Sequence, residues 1–436
     1  MRATIKKLAK QYITKIITWQ AMYVLKRFKP TIIAVTGNVG KTSTKDAIFY
    51  ALRPYGHVRH SEKSFNSDTG VPLSILGVPN GWNSPMLWAT NIFHGFTLMF
   101  FTKTYPEYLV LEIGADHPGD IRSVSAWVKP HISVFTRFPD VPVHIEFFDS
   151  VEAVVQEKTS LAINTRKDGT LILNADDSKV MKLDGLDGRK TYTYSAENPS
   201  DIQIKNITYH FSETDAVHGS DTTLLVKDRG EIHMVLPHII SHGHIAGAVC
   251  GLLVVKALGF EIEEALLALR EYRTPPGRFS LLEGMNDTLI IDDAYNASPT
   301  AMEHALMMLK EIPVKKGKKV AILGDMMELG VHTQSAHEKL GEEVVGVTDV
   351  LIAVGSRAEF LYKSAIKAGF NKKNAFHVFT TKEVLPILEK YITSGSIILF
   401  KASQSVRLER VIKEVMAHPE QAGKLLVRQD KEWQER

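Results

Sequence analysis

The sequence predicts an α/β protein built from two open sheets in succession. Nearly unbroken apolar strands alternate with helical patterns from Thr31 to about residue 272, which is typical of a parallel sheet covered on both faces. The segment RTPPGR at 273–278 interrupts the pattern, and the alternation then restarts. Strands are predicted at 31–36, 108–115, 131–136 and 170–175, and then at 288–292, 319–323, 350–354, 375–379 and 396–400. We therefore expect an N-terminal helix at 1–29, a first domain at 30–272 and a second at 273–436.

The first predicted strand, TIIAVT, runs directly into a glycine-bracketed loop and then a helix. Gly37 and Gly40 would let the backbone turn tightly and point its N–H groups at an anion, near the positive end of the helix. Lys41 would reach the β- and γ-phosphates of a nucleotide, and the Thr42 hydroxyl would bind Mg²⁺. A Gly-Lys-Thr sequence is a common false match, but strand, loop and helix in this order favour nucleotide binding. The residues expected to contact the nucleotide are Gly37, Asn38, Gly40, Lys41, Thr42 and Ser43.

The composition of the 436-residue chain is ordinary for a soluble globular enzyme. A net charge of +3, with basic residues spread along the chain except at its start, gives no indication of a nucleic-acid partner. Cys250 is the one cysteine, which excludes an internal disulfide and fits a reducing cytosol. It lies in the apolar run AVCGLLVV and is expected to be a packed hydrophobe. No segment has the pattern of a secretory signal, so we expect a cytoplasmic protein.

Two segments raise the question of membrane contact. Residues 3–29 predict one basic amphipathic helix, which either packs on the next domain, the favoured interpretation, or contacts the inner membrane face. Its predicted apolar side consists of Ile5, Leu8, Tyr12, Ile16, Trp19 and Tyr23. Residues 85–101 contain no Asp, Glu, Lys or Arg, but they are too short and too polar to predict a spanning helix. We expect a buried helix or an apolar surface patch there, and a small β-rich excursion at 200–236.

Several motifs after the loop occur in one order along the chain. They are FNSDTGVPLSIL (65–76), LEIGADHPGDI (111–121), HIEFF (144–148), EKTSL (157–161), LNADD (173–177), PPGR (275–278), IDDAYNASP (291–299) and GDMMELG (324–330). Together they resemble the Mur ligases over roughly residues 31–410. The resemblance implies a central P-loop ATPase domain and a C-terminal Rossmann-like domain. It also implies that ATP drives amide bond formation through an acyl phosphate in peptidoglycan precursor synthesis.

The resemblance implies a metal site beside the phosphate loop. Glu112 ends an apolar strand next to the loop strand, so its carboxylate would emerge where Mg²⁺ meets the phosphates. Lys158 matches a lysine that is carbamylated in the family, a modification that requires a neutral amine and hence a lowered pKa. The carbamylated lysine would bind a second Mg²⁺, and His144 would bind the same ion. Taken alone, a strand-end glutamate and a lone histidine are more often structural. The catalytic residues implied are Lys41, His144 and Lys158, and the metal ligands are Thr42, Glu112, His144 and Lys158.

In the second domain, the resemblance implies that Arg278 and Asn296 contact the nucleotide. Asp293 follows a strand on the usual ligand side of an open α/β sheet, and a structural turn role is an equal alternative for it. Asp325 in GDMMELG also matches the family, although helix capping would account for it.

Three departures from the family keep alternatives open. The motifs are most similar to those of the member that joins D-alanyl-D-alanine to UDP-muramoyl tripeptide, which has a UDP-binding N-terminal domain. Here residues 1–30 precede the loop strand, so we expect the donor to be held differently. The family's GRHN-x-x-N segment reads SHGHIAG (241–247), where a helix-start role is expected for the histidines. The KGSR-type loop reads KASQS (401–405).

We expect an ATP- and Mg²⁺-dependent ligase, a monomer, acting on a small-molecule or peptide cell-wall precursor and an amine such as D-alanyl-D-alanine. One alternative is a ligase with another acid and amine, of the polyglutamate type or with a lipid-linked acceptor. The other alternative is an ATP-binding partner subunit that has lost ligation. The altered segments SHGHIAG and KASQS favour this interpretation. The presence of Lys41, Glu112, His144 and Lys158 argues against it.

Overall fold

The computed structural model describes residues 2–61, 65–138, 145–211, 217–314, 316–430 and 433. Side chains of residues 2–9, 211 and 217 lie outside this description.

The first sheet is parallel at its centre and antiparallel at one end. Within the described residues it has nine strands in the order β2-β3-β1-β4-β5-β6-β7-β8-β9. They are β1 (Thr31–Thr36), β2 (Val58–His60), β3 (Tyr108–Glu112), β4 (Ile132–Phe135), β5 (Thr170–Asn174), β6 (Lys190–Ser195), β7 (Ile202–Phe211), β8 (Val217–Val226) and β9 (Gly230–Leu236). The pairs from β2 to β7 are parallel, and β8 and β9 add antiparallel. The chain order reverses at β1, and open α/β sheets bind ligands at such a reversal.

Helices cover both faces of this sheet, which explains why its central strands are apolar throughout. The helices are α1 (Arg2–Phe28), α2 (Lys41–Leu52), α3 (Gly70–Leu76), α4 (Pro85–Phe100), α5 (Asp120–Val128), α6 (Val151–Asn164), α7 (Ser178–Met181), α8 (His242–Ala257) and α9 (Glu263–Leu269). One core lies under α2, α8 and α9, and the other lies under α1, α3, α4, α5 and α6. Cys250 is fully buried in the first core, as predicted.

The second sheet has six strands in the described part of the chain, in the order β10-β11-β15-β12-β13-β14. They are β10 (Ser280–Gly284), β11 (Thr288–Asp293), β12 (Lys319–Gly324), β13 (Val350–Val354), β14 (Ala375–Val378) and β15 (Ile397–Lys401). Only the edge pair β10–β11 is antiparallel among these described pairs. The helices are α10 (Pro299–Glu311), α11 (Thr333–Glu343), α12 (Ala358–Lys367), α13 (Leu385–Leu388), α14 (Glu409–Val415) and α15 (Ala422–Leu425).

The strands predicted from apolar runs are confirmed to within about three residues, and the α/β class with them. The β-rich excursion is also confirmed, as β7–β9, although these strands extend the first sheet instead of forming a separate one. The division at residue 273 stays a prediction, since the two sheets occupy residues 31–236 and 280–401.

The N-terminal helix packs on the helices of the first sheet, as the favoured interpretation predicted, but it does so through a side other than the predicted apolar side. Ile17, Ala21 and Val24 of α1 are fully buried against the first sheet's helices, whereas Tyr12, Trp19 and Tyr23 of the predicted apolar side are 65%, 52% and 40% exposed. The helix carries apolar residues on both sides, so the hydrophobic period alone did not determine which side packs.

The 85–101 segment forms α4, which packs beside α1 and is partly exposed. Among the described residues, no helix is long and apolar enough to cross a membrane.

Candidate active site

The loop between β1 and α2 has the backbone of a phosphate cradle. Gly37 has φ of 143°, and a Cβ there would lie 1.8 Å from Thr136 Oγ1, so only glycine fits. Gly40 has φ of 84° and immediately precedes α2. The Asn38 N–H donates to the Arg137 carbonyl over 2.9 Å, which ties the loop to the segment after β4. The loop therefore presents the N-terminus of α2 at the reversal point of the sheet.

Thr42 and Glu112 meet directly beneath this loop. The Thr42 hydroxyl donates to Glu112 Oε2 over 2.7 Å, and Asn66 Nδ2 donates to Glu112 Oε1 over 3.2 Å. Parallel pairing of β1 with β3 sets Val35 opposite Glu112 and brings the carboxylate to the loop. A hydroxyl and a carboxylate are oxygen ligands of the kind Mg²⁺ prefers, so the donor set fits this ion. Asn66 lies in a motif that the sequence singled out, but its contact was not predicted.

Two lysines approach the loop from different elements. Lys41 Nζ donates to the Asn38 carbonyl over 3.3 Å, and Lys158 Nζ of α6 donates to the Gly37 carbonyl over 3.2 Å. Burial lowers the pKa of Lys158 to about 7, and the positive charge of Lys41 contributes. Burial also lowers the pKa of Lys41, although the Glu112 carboxylate opposes this effect. Two lysines that reach the same loop, each with a pKa lowered chiefly by burial, suit a site that binds a polyanion.

Glu157, the neighbour of Lys158 on α6, was not part of the predicted site. Its carboxylate accepts from the Gly119 and Arg122 N–H groups, over 2.9 and 3.0 Å, at the start of α5. A buried carboxylate at a helix N-terminus is favourable, and here it fixes α6 against α5. One sequence feature could have indicated this contact, namely a glutamate on the buried side of a helix.

The fourth predicted metal ligand, His144, lies outside the described residues. In the parts of the chain that are described, no group of three or more His, Cys, Asp or Glu side chains is arranged to hold a metal ion. The structure thus brings Thr42 and Glu112 together, and Lys158 of α6 contacts the loop through the Gly37 carbonyl.

His244 of α8 completes the buried wall behind the loop. Its Nε2 lies 2.9 Å from Ser43 Oγ, and burial, with the nearby Arg278 charge, lowers its pKa to about 4. Among the described residues, no partner is found for His244 Nδ1 or for either polar atom of the Asn38 amide. Buried polar atoms of this kind normally find partners, so these atoms fit a loop that binds a ligand. The Ser43 contact spans 201 positions and carried no sequence signal beyond the departure at SHGHIAG.

In the second sheet, the predicted residues lie at the carboxyl ends of β11 and β15. Lys401 Nζ donates to Asp293 Oδ2 over 2.6 Å and to the Asn296 carbonyl over 3.2 Å. The Phe279 N–H donates to Asp293 Oδ1 over 3.1 Å. Asp293 is therefore satisfied by the protein itself, and the Asn296 side chain is exposed. The guanidinium carbon of Arg278 lies 4.1 Å from the centre of the Tyr295 ring.

Asp325 caps a helix, as the alternative interpretation predicted, but the helix lies far from it in sequence. Its Oδ1 accepts from the N–H groups of Arg357 and Ala358, over 2.9 and 2.7 Å, at the start of α12. A Cβ on Gly355 would lie 2.4 Å from the same oxygen, which explains the glycine there.

A cleft of about 410 Å³ lies between the two sheets beside the loop. Arg137 crosses it, because its Nη1 lies 2.9 Å from His304 Nε2 of α10. Burial and the Arg137 charge lower the pKa of His304 to about 4, so the imidazole is the neutral acceptor. Asp177 and Lys179 line one wall and Glu303 and Lys339 the other. A cleft lined by both charges suits a zwitterionic or polar substrate.

Comparison with known proteins agrees with this geometry. Residues 35–237 match the model of the Mur ligase middle domain, and residues 277–404 match the model of the Mur ligase glutamate ligase domain. The UDP-N-acetylmuramoyl-tripeptide--D-alanyl-D-alanine ligase of Bacillus subtilis is 26% identical, over 89% of this chain and 76% of that protein. The Escherichia coli ligase of the same name is 27% identical, over 90% and 78%.

Solved structures give the same result. The MurF ligase from Thermotoga maritima in complex with ADP has a TM-score of 0.74 and 25% identity, covering 94% of this chain and 84% of that chain. MurF from Acinetobacter baumannii has a TM-score of 0.75 at 21% identity, covering 92% and 79%, and shows the shared fold. Because the two family models together match well over half of the sequence, the chain belongs to the Mur ligase family.

Proposed function

We propose that the protein is an ATP-dependent amide ligase that joins the carboxylate of a UDP-muramoyl tripeptide to D-alanyl-D-alanine in peptidoglycan precursor synthesis. The observation that supports this most is the meeting of Lys41, the Thr42–Glu112 pair and Lys158 at one phosphate loop, in a chain matched by both Mur ligase domains. A nucleotide-binding subunit without ligation has little need of ligands for a second metal, the role proposed below for Lys158 and His144.

In the first step, a substrate carboxylate oxygen attacks the γ-phosphorus of ATP, and the bond from that phosphorus to ADP breaks. The Lys41 ammonium and the N–H groups at the start of α2 would offset the negative charge that gathers on the phosphoryl oxygens. Bound Mg²⁺, held by Thr42 and Glu112, would supply further charge neutralisation. The products are an acyl phosphate and ADP.

In the second step, the uncharged amine of the acceptor attacks the acyl carbon, the carbon–oxygen bond breaks, and inorganic phosphate leaves as the nitrogen loses a proton. Holding both reactants in one cleft removes most of the entropic barrier to this attack. The cleft between Arg137 and α10, lined by side chains of both charges, is where we propose that the reacting ends of the two substrates meet. Arg278 is proposed to contact the nucleotide together with Asn296. Burial chiefly lowers the pKa of both Lys41 and His244, and the charge of Arg278 adds to this effect.

Lys158 is proposed to act as a carbamate that binds a second Mg²⁺ together with His144. The support is the pKa of about 7, which leaves a large fraction of the amine neutral at cytoplasmic pH and able to react with carbon dioxide. Asp293 is proposed to hold the loop that carries Asn296, through their shared contact with Lys401, instead of contacting the nucleotide itself. We also propose that the ligase acts as a monomer in the cytoplasm.

A phosphate-release assay tests the activity. Purified protein with ATP and Mg²⁺ is expected to release phosphate only when both UDP-muramoyl tripeptide and D-alanyl-D-alanine are present, with the amide product identified by mass spectrometry. Omitting either substrate serves as the control for uncoupled hydrolysis.

The same assay separates the alternatives. Release that depends on another acid and amine, such as a folate and glutamate or a lipid-linked acceptor, would keep the ligase chemistry but overturn the substrates. ATP binding without release for any pair would favour a ligation-dead partner subunit, an outcome that the altered KASQS segment makes worth testing.

A further inference from the structure

The outer side of α1 and α4 exposes a cluster of aromatic rings. Six side chains form it, and we call this cluster the aromatic face: Trp19, Tyr23, Phe93, Phe96, Phe100 and Phe101. Rings from the two helices contact each other, with centroids 6.2 Å apart for Trp19 and Phe96 and 5.9 Å apart for Tyr23 and Phe100. Phe93 and Phe101 are 73% and 78% exposed. Contiguous exposed aromatics on a soluble protein mark a surface that meets another apolar phase.

The two helices that carry the aromatic face are fixed to each other. A Cβ on Gly95 of α4 would lie 2.3 Å from Gln20 Oε1 of α1, so glycine permits the close approach. Gln20 Nε2 donates to the Ile92 carbonyl over 2.8 Å, and Arg27 donates to the carbonyls of Leu98 and Thr102 at the end of α4, each over 2.7 Å. A cation at a helix C-terminus is favourable. The aromatic face is therefore preformed.

Charge around the aromatic face is of one sign. Residues 1–29 contain eight Lys and Arg and no Asp or Glu, and residues 69–106 also contain no acidic residue. Because the whole chain carries +3, the residues outside 1–29 carry a net −5. Lys10, Lys15 and Lys26 of α1 are exposed. The net positive charge of the protein is thus concentrated on α1, the helix that presents Trp19 and Tyr23, while the rest of the chain is net negative.

We propose that the aromatic face docks on an anionic lipid bilayer, with α1 and α4 lying in the plane of the headgroups. Trp, Tyr and Phe rings insert at the boundary of headgroups and acyl chains, and flanking lysines bind anionic phosphates. A second copy of the chain fits less well, because pairing two such faces would oppose two sets of basic residues. The docking concerns a surface outside the phosphate loop, so it stands or falls independently of the ligase activity.

Sedimentation with lipid vesicles tests this docking. The full-length protein is expected to bind vesicles of equal parts phosphatidylcholine and phosphatidylglycerol, to bind pure phosphatidylcholine weakly, and to be released as salt rises to about 0.5 M. The variant Trp19→Ser/Phe96→Ser/Phe100→Ser should lower the partition coefficient at least about tenfold. The variant Lys10→Glu/Lys15→Glu/Lys26→Glu should lower it to a similar extent on the anionic vesicles alone.

Matched controls lie on the second sheet's side of the molecule. Phe379→Ser removes an aromatic ring that is 65% exposed, and Lys367→Glu/Lys372→Glu/Lys373→Glu makes the same change in net charge at exposed positions. Both should bind vesicles like the unmodified protein, and all variants should keep its phosphate-release rate with soluble substrates. Failure of the unmodified protein to bind anionic vesicles would overturn the proposal, as would equal binding by the aromatic-face variants. A concentration-dependent dimer that the Trp19 variant abolishes would instead assign the face to a second copy.

Discussion

The two sheets of this protein manage the charges at their carboxyl ends in opposite ways. At the phosphate loop of the first sheet, Lys41 and Lys158 both have lowered pKa values. Neither the side-chain amide of Asn38 nor His244 Nδ1 has a partner among the described atoms. At the second sheet, Lys401 is paired with Asp293 over 2.6 Å, and Arg428 with Glu409 over 3.1 Å. We call the carboxyl ends of the strands in the first and second sheets the first edge and the second edge. We infer that a bound polyanion completes the first edge. The second edge pairs its own charges and forms a wall against which that ligand is held.

Replacing Lys41 by Ala should have the largest effect on activity. This ammonium is proposed to neutralise charge on the γ-phosphate, and losing one such group costs about 10²–10³-fold in turnover. Phosphate release and ATP affinity by calorimetry measure the loss, with the exposed Lys373→Ala as the matched control. A Lys41→Ala enzyme within about threefold of the control would show that the first edge is not the phosphate site.

Replacing Lys401 by Met should act on folding first. Asp293 would be left as a largely buried carboxylate without its cation, which costs about 3 kcal/mol in the unfolding free energy of this domain. Urea unfolding followed by circular dichroism measures it. The double variant Lys401→Met/Asp293→Asn should recover most of the loss, because no charge is then left unpaired. A double variant as unstable as the single one would contradict a self-contained second edge.

Most of the fold could be predicted from the sequence, because strands buried on both faces must be apolar throughout. TIIAVT and VLIAV were located to the residue for this reason. The phosphate loop was predictable because its chemistry is local: glycines, a lysine and a hydroxyl within eight positions. Glu112 followed from strand adjacency, which β1–β3 pairing confirms.

The remainder depended on contacts between distant positions. Ser43 meets His244 across 201 positions and Asp325 caps a helix 33 positions away, and neither pairing leaves a periodic signal. The side through which α1 packs also depends on distant residues. A Cβ on Gly95 of α4 would lie 2.3 Å from Gln20 Oε1, and the helical period of α1 carries no signal of that contact.

The carbamate proposal for Lys158 sharpens the description of the first edge. Lys158→Ala should lower turnover about 10–100-fold, as expected for a metal-supporting group, and Lys158→Arg should not restore it, because a guanidinium cannot form the carbamate. The exposed Lys167→Ala, just beyond α6, is the control. Native mass spectrometry with bicarbonate should detect one added carbon dioxide that is absent from Lys158→Ala. Full activity in Lys158→Ala would remove the lysine from the mechanism.

Asp292 is the exception at the second edge and gives the smallest expected effect. It is fully buried, its Oδ1 accepts only from the Ala294 N–H among the described donors, and burial raises its pKa to about 7. Between the ordinary value of 3.8 and about 7, the folded state binds the proton that the unfolded state has lost, so stability falls as pH rises through this window. Asp292→Asn keeps the oxygen and removes the titration.

The stability of Asp292→Asn relative to the unmodified protein should therefore increase by about 1 kcal/mol per pH unit across that window and then level off. His244→Asn should show the opposite sign at the first edge. The His244 pKa falls from 6.5 to about 4, so the unmodified protein gains stability as pH rises between these values, and the variant lacks that gain. Urea midpoints at pH 5 and pH 8 for both variants measure the two slopes. Slopes of equal sign would mean that the two edges do not differ in how they hold buried charge.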